Sequence, residues 1–191
     1  MKKIFIIILC FFVAYGCQVK DKDMGCNTNE NCEVDTTNYD KEKTLSIYNE
    51  TIKDQQFINI GFNDVVKKVE AKETFVLLYT FKTCPWCQQL LPILLNASKD
   101  LKTKVYYVTV RDQDNHDLRN DDNAEYVANY QIVKALVKEK IFVPALFKFV
   151  DGKPIAVHFD TVENHDAKKR LMNEEEKALC YKQLIELMEA K

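Results

Sequence analysis

The chain has 191 residues, enough for one domain with a buried core and some further sequence. Apolar residues make up 47%, which suits a soluble globular body, and a formal net charge of -2 gives no ground for a nucleic-acid partner or a strongly acidic one. Four glycines and four prolines exclude a low-complexity chain, and seven scattered cysteines are too sparse for a disulfide scaffold.

At the start, Lys2 and Lys3 precede an unbroken apolar run from Ile4 to Ala14. A helix needs about 20 apolar residues to cross a bilayer, so this run is short for a permanent span. It has instead the charged and apolar regions of a secretory signal. The run ends in Ala14-Tyr15-Gly16-Cys17, which resembles a bacterial lipoprotein box, with Tyr15 as a large departure. That resemblance implies a signal peptide over 1–16, cleavage before Cys17 and lipid on Cys17; ordinary secretion is the alternative. Either route puts the protein outside the cytoplasm, where disulfides persist, and acyl chains would hold it on the membrane surface.

Residues 17–56 are polar and acidic, lack sustained apolar periodicity and are expected to be a flexible tether. Cys26 and Cys32 lie inside it, spaced for a small disulfide loop or for exchange with another pair. The domain is expected over 57–191. FINI (57–60) is a short strand, and a helix over 63–69 turns Val65, Val66 and Val69 inward. TFVLLYTF (74–81) is a continuous apolar run, as in a strand buried on both faces. Pro85 opens a helix carrying Leu90, Leu91, Leu94 and Leu95, with Pro92 inside it. VYYVTV (105–110) is a further buried strand, and a polar loop (111–123) leads to a helix predicted over 124–140. Two strands between Phe142 and Phe159 flank the hairpin signal Asp151-Gly152. Asn173 and Glu176 form a capping box before a last helix that carries Leu179, Leu184, Leu187 and Met188. The order is βαβαβαββα, which implies an α/β fold with a mixed β-sheet flanked by helices.

TFKTCPWCQQLLP (80–92) sets Cys84 and Cys87 two residues apart, between a strand and a helix. Three uses fit such a pair: a metal clamp, a structural staple or a redox couple. A closed zinc site needs a second ligand pair, and His116, His158 and His165 lack the spacing for one, so no metal is expected. A staple across so short a loop constrains the unfolded chain little. The redox use has a mechanism. A helix N-terminus favours thiolate over thiol at Cys84, and Cys87 lies one turn on, within reach to resolve a mixed disulfide. Lys82 adds positive charge nearby, and Cys180 reads as a small buried hydrophobe.

C-P-W-C after a buried strand, with this element order, resembles the thioredoxin-like superfamily. A second match is Phe142-Val143-Pro144-Ala145-Leu146-Phe147-Lys148-Phe149, then Asp151-Gly152-Lys153-Pro154. The resemblance covers about 57–191. It implies that Pro144 is a cis-proline facing the cysteine pair and that Val143 offers its backbone to a substrate strand. It also implies that Pro85 and Trp86 border the substrate, Trp86 as an exposed apolar contact. Within the superfamily the chain is similar to extracytoplasmic thioredoxin-like lipoproteins of Gram-positive bacteria, including bacteriocin transport accessory proteins.

Two departures stand out. The superfamily usually has a buried aspartate six residues before the first cysteine; here that residue is Leu78. Deprotonation of the resolving thiol then needs water or another group, or fast reduction is not this protein's task. The stretch between VYYVTV and Pro144 is also longer than in a minimal thioredoxin. Loops that follow parallel strands gather where sites form, so this insertion is expected either to border the cysteines or to be a solvated ornament. The resulting expectation is a membrane-anchored thiol–disulfide oxidoreductase, with Cys84 attacking and Cys87 resolving. It needs no cofactor beyond its own disulfide, and its partners are protein thiols or disulfides and an unidentified redox protein. The alternative is an accessory or docking protein of a secretion system built on the same fold.

Overall fold

Residues 39–191 are described by a computed structural model; the segment expected to be a signal peptide, Cys17, Cys26 and Cys32 lie outside the described residues. The central strand, β2 (Phe75–Thr80), is buried at every position. It pairs in parallel with β3 (Val105–Thr109), which pairs in parallel with β1 (Phe57–Asn59). On its other side it pairs antiparallel with β4 (Ala145–Val150), which pairs antiparallel with β5 (Lys153–Phe159). The sheet order is therefore β1-β3-β2-β4-β5.

Alternation along β2 divides the core in two. Val76 and Leu78 join Leu146 on one face, beneath α1 (Lys41–Thr51), α3 (Pro85–Asp100) and α5 (Glu174–Glu189). Phe75, Leu77 and Tyr79 join Phe147 and Phe149 on the other, beneath α2 (Phe62–Glu70) and α4 (Ala124–Val133). Covered on both faces, β2 has no place for a polar side, which is why its sequence is a run and not an alternation. A buried polar clasp fixes the second layer. The Tyr79 hydroxyl donates to Asn129 Oδ1 at 2.7 Å, and Asn129 Nδ2 donates to the Phe62 carbonyl at 2.7 Å.

At the β4–β5 turn, Asp151 and Gly152 have φ of 49° and 74°, the left-handed pair a two-residue hairpin needs. A Cβ at Gly152 would also stand 2.3 Å from the Val69 carbonyl oxygen, so only glycine fits. At α5 the capping box forms as expected. Arg170 grips Glu176 at 2.6 Å and holds its carboxyl down to about 2.

Two expectations need correction. Residues 41–51, inside the expected tether, form α1. Asp40 caps it by accepting from the N–H groups of Glu42 and Lys43. Thr44 and Tyr48, four residues apart, are buried against the body. A sparse stripe sufficed because few large side chains are needed to dock a short helix on a finished layer. The predicted helix over 124–140 ends at Val133. Beyond it the chain must turn to bring Ile141 into the core, where Ile141 is fully buried and its N–H donates to the Tyr126 hydroxyl at 3.4 Å. Leu179 stays 47% exposed, because α5 turns Cys180, Leu184, Leu187 and Met188 inward.

Candidate active site

Cys84 sits at the junction of β2 and α3 as the N-cap of α3, with φ −81° and ψ 116°. Its Sγ accepts from the Cys87 N–H at 3.3 Å, so the sulfur occupies the place a capping oxygen usually takes. Pro85 follows at the first helical position, where its missing N–H leaves no bond unmade. Both thiols are free and buried, but only Cys84 lines an open cleft.

The two sulfurs are electrostatically unequal. The Cys87 thiol donates to Cys84, and with the backbone N–H groups of Cys87 and Trp86 it holds Cys84 below the ordinary thiol range despite burial. Cys87 is pushed well above that range, first by burial and then by Cys84 beside it. The Thr80 hydroxyl and the Phe81 N–H act against that rise.

Across from Cys84 stand Val143 and Pro144, whose peptide bond is cis. The Cys84 thiol donates to the Val143 carbonyl at 3.7 Å. Asp160 closes this side: its N–H donates to the Pro144 carbonyl at 3.1 Å. Burial raises the Asp160 carboxyl's pKa, and its charge opposes thiolate at Cys84. Removing that charge should therefore favour the thiolate. For Asp160→Asn, the alkylation rate of Cys84 at a fixed pH below its plateau should rise a fewfold, with the profile displaced to lower pH. An unmoved profile from iodoacetamide kinetics would remove Asp160 from the site's electrostatics.

Sequence reasoning missed the contribution of α1. Gln88 of α3 is a hub: its Nε2 donates to the Lys82 carbonyl at 2.8 Å, and its Oε1 accepts from Tyr39 at 2.8 Å and Thr44 at 2.7 Å. Tyr48 reaches further in. Its hydroxyl lies 3.2 Å from Thr80 Oγ1, buried, and Thr80 in turn bonds Cys87. The signal was present as Asp40 followed by Thr44, Ile47, Tyr48 and Ile52, a cap and an apolar stripe at helical spacing. Leu78, where the superfamily usually has aspartate, is 1% exposed within the apolar layer of Cys87.

The 111–123 loop borders the cysteines: Arg111, Asn115 and Arg119 line the cleft with Cys84. Thr83 Oγ1 reaches Asn115 Oδ1 at 3.4 Å. Trp86 corrects an expectation, because it is half-buried against the core, with the Lys168 ammonium 5.6 Å from its ring. It still lines the cleft, as do Pro85 and Val143. Lys82 does not; its side chain lines a different depression, beside Tyr48 and Tyr107. Cys180 is fully buried, and burial pushes its thiol up to about 12, so it behaves as a hydrophobe.

A mixed five-stranded sheet, a cysteine pair heading the helix after its central strand, and a proline before β4 facing that pair now stand together. The fold is thioredoxin-like. No family model and no curated protein matches the chain. Among solved structures it is similar to a protein described as having a thioredoxin fold, at 17% identity and TM-score 0.41, over 55% of this chain and 82% of the other. It is similar to a mutant thioredoxin from Halobacterium salinarum, at 18% identity and TM-score 0.38, over 71% and 93%. It is also similar to an oxidized thioredoxin from Arabidopsis thaliana, at 22% identity and TM-score 0.37, over 59% and 85%.

Proposed function

We propose that this chain is an extracytoplasmic, lipid-anchored thiol–disulfide oxidoreductase that works through Cys84 and Cys87. The observation that carries this is the placing of two neighbouring thiols: Cys84 heads α3 in an open cleft, its Sγ accepting from the Cys87 N–H at 3.3 Å, and Cys87 lies buried beneath it, so that the first is displaced down and the second up. A structural pair has no use for such asymmetry, whereas exchange depends on it, because thiolate is the attacking form. The anchored location is supported by the Lys2-Lys3 run and the Ala14-Tyr15-Gly16-Cys17 box.

In the reducing direction the Cys84 thiolate attacks one sulfur of a substrate disulfide. A Cys84–substrate bond forms, the substrate S–S bond breaks, and the departing thiolate takes a proton from water. Cys87 then loses its proton and attacks Cys84 Sγ. The Cys84–Cys87 disulfide forms and the second substrate thiolate leaves. The protein has given up two electrons and the substrate has gained them; oxidation of a substrate dithiol runs through the same bonds in reverse. No organic cofactor takes part in this scheme. Thr80, with Tyr48 behind it, is the polar group against Cys87 where the superfamily usually has a carboxylate. Val143 offers backbone to a substrate strand beside Cys84, since among the described residues its N–H has no partner.

The test is exchange by the protein extracted from its native membrane. Its N-terminal mass should correspond to Cys17 carrying lipid, and it should reduce insulin or oxidise a dithiol peptide. Cys84→Ser should lower that rate at least a hundredfold. A parent protein with no exchange in either direction would sink the redox reading and leave the docking-protein alternative; an unmodified N-terminus elsewhere would remove the anchor.

A further inference from the structure

We propose that the cleft over Cys84 selects disulfides set in acidic polypeptide. This rests on the redox reading above and names its substrate class. The cleft, about 570 Å³, is lined by Lys41, Arg111, Arg119, Lys140 and Lys168 and by no carboxylate, although Asp160, outside the lining beside Pro144, opposes thiolate at Cys84. The whole chain has 27 basic and 29 acidic residues, so five cations around one thiol do not follow from composition. They come from four separate places: the start of α1, the 111–123 loop with both arginines, the turn before Pro144 and the segment after β5.

The five differ in role. Arg119 is neutralised by Asp117 at 2.7 Å and donates to the Ile141 carbonyl at 2.8 Å, so it braces the turn that leads to Pro144. Lys41, Lys140 and Lys168 are exposed, and among the described residues neither they nor Arg111 form an ion pair. Three are stationed against aromatic rings: Arg111 lies 4.5 Å from the Phe81 centroid, Lys140 5.6 Å from Phe142 and Lys168 5.6 Å from Trp86. A ring beneath a cation limits where its head can go while leaving its outer side open to an anion. Arg111 is also held from below, its Nη1 donating to the Asn115 carbonyl at 3.1 Å.

A polypeptide suits this cleft better than a small anion. Phe142, 50% exposed, offers apolar contact beside the N–H of Val143, which has no partner among the described residues; an extended chain uses both at once. The cations around that track favour glutamate or aspartate near the attacked cysteine. A cleft lined by one sign of charge raises encounter rates by about 10- to 1,000-fold at low salt.

The experiment uses the whole chain and disulfide-linked peptides that are identical except for Glu, Gln or Lys beside the cysteine. Second-order rates of exchange are measured at low and high salt. The Glu peptide should outpace the Lys peptide by about tenfold or more at low ionic strength. The gap should close near 1 M salt, where the screening length is about 3 Å. Lys140→Glu combined with Lys168→Glu, which leaves Lys41 and Arg111 opposed by two carboxylates, should abolish the difference between the Glu and Lys peptides at low salt. Equal rates for the three peptides, or a preference that salt and the paired substitution leave alone, overturn the proposal while the redox reading stands. Oxidised glutathione reacting faster than the Glu peptide overturns the polypeptide assignment. No exchange with any peptide means that the redox reading itself has failed, and this proposal with it.

Discussion

Replacing Cys87 by serine should convert the protein from an exchanger into a trap. In the proposed cycle the mixed disulfide formed by Cys84 is broken from within by Cys87, which the Cys84–Cys87 contact keeps at the attacked sulfur. Serine retains the shape and a hydroxyl that can donate to Cys84, but it cannot form the resolving S–S bond. Adducts should rise from traces to a major fraction of the protein, about tenfold or more, and disappear with reductant. Cys84→Ser should trap nothing, because Cys87 lies beneath the cleft with its thiol pushed up by burial. Non-reducing gels of both variants expressed in the native host read this directly. Adducts from Cys84→Ser alone would reverse the two roles, and adducts from neither would favour a docking function. Cys180 is buried on α5 and should contribute no band of its own.

Leu78→Asp should be the most damaging of the substitutions considered. It installs the residue type usual in the thioredoxin-like superfamily that the chain resembles, yet here the position is 1% exposed and packed in the apolar layer with Val76, Leu146 and Cys87. Removing a buried leucine side chain alone costs about 2–5 kcal/mol. Burying a carboxyl without partners adds about 1–3 kcal/mol. Against a typical stability of about 5–15 kcal/mol, that loss approaches unfolding. The pH dependence has a fixed sign. Burial raises the carboxyl's folded pKa above its unfolded value near 3.9, so the native state binds more protons and stability falls as pH rises above about 4. Urea unfolding of Leu78→Asp, Leu78→Asn and Leu78→Ala at pH 4 and pH 7 separates the two contributions. An aspartate variant as stable as the parent would mean that water reaches this position, and that the protein lacks the carboxylate for some reason other than packing.

The legible parts of the fold were those governed by local pattern. β2 announced itself as a run of apolar residues because helices cover both its faces. Asp151-Gly152 marked the hairpin through its left-handed backbone, and Asn173 with Glu176 marked the start of α5. Errors arose where a distant surface decides what a segment does. Residues 41–51 look polar in isolation, with Thr44 and Tyr48 as the only buried positions of α1. Their helix is held by Gln88 and Thr80, more than thirty residues away. Likewise the end of α4 is dictated by where Ile141 must go, not by the helical spacing that runs on to residue 140.

The sequence by itself determined the cysteine pair, its position between a strand and a helix, and the proline match sixty residues on, because each is carried by neighbouring residues of fixed type. The tertiary structure added the cleft itself: both thiols are buried, and of the two only Cys84 lines the opening, as its place at the start of α3 leads one to expect. It also decided the charge of that cleft. A net charge of -2 conceals five cations drawn from Lys41 to Lys168, because chain folding, unlike composition, brings side chains far apart in sequence within reach of one sulfur. The hydroxyls at Cys87 are of the same kind: Thr80 precedes it by a turn of chain, but Tyr48 arrives only because α1 docks on α3.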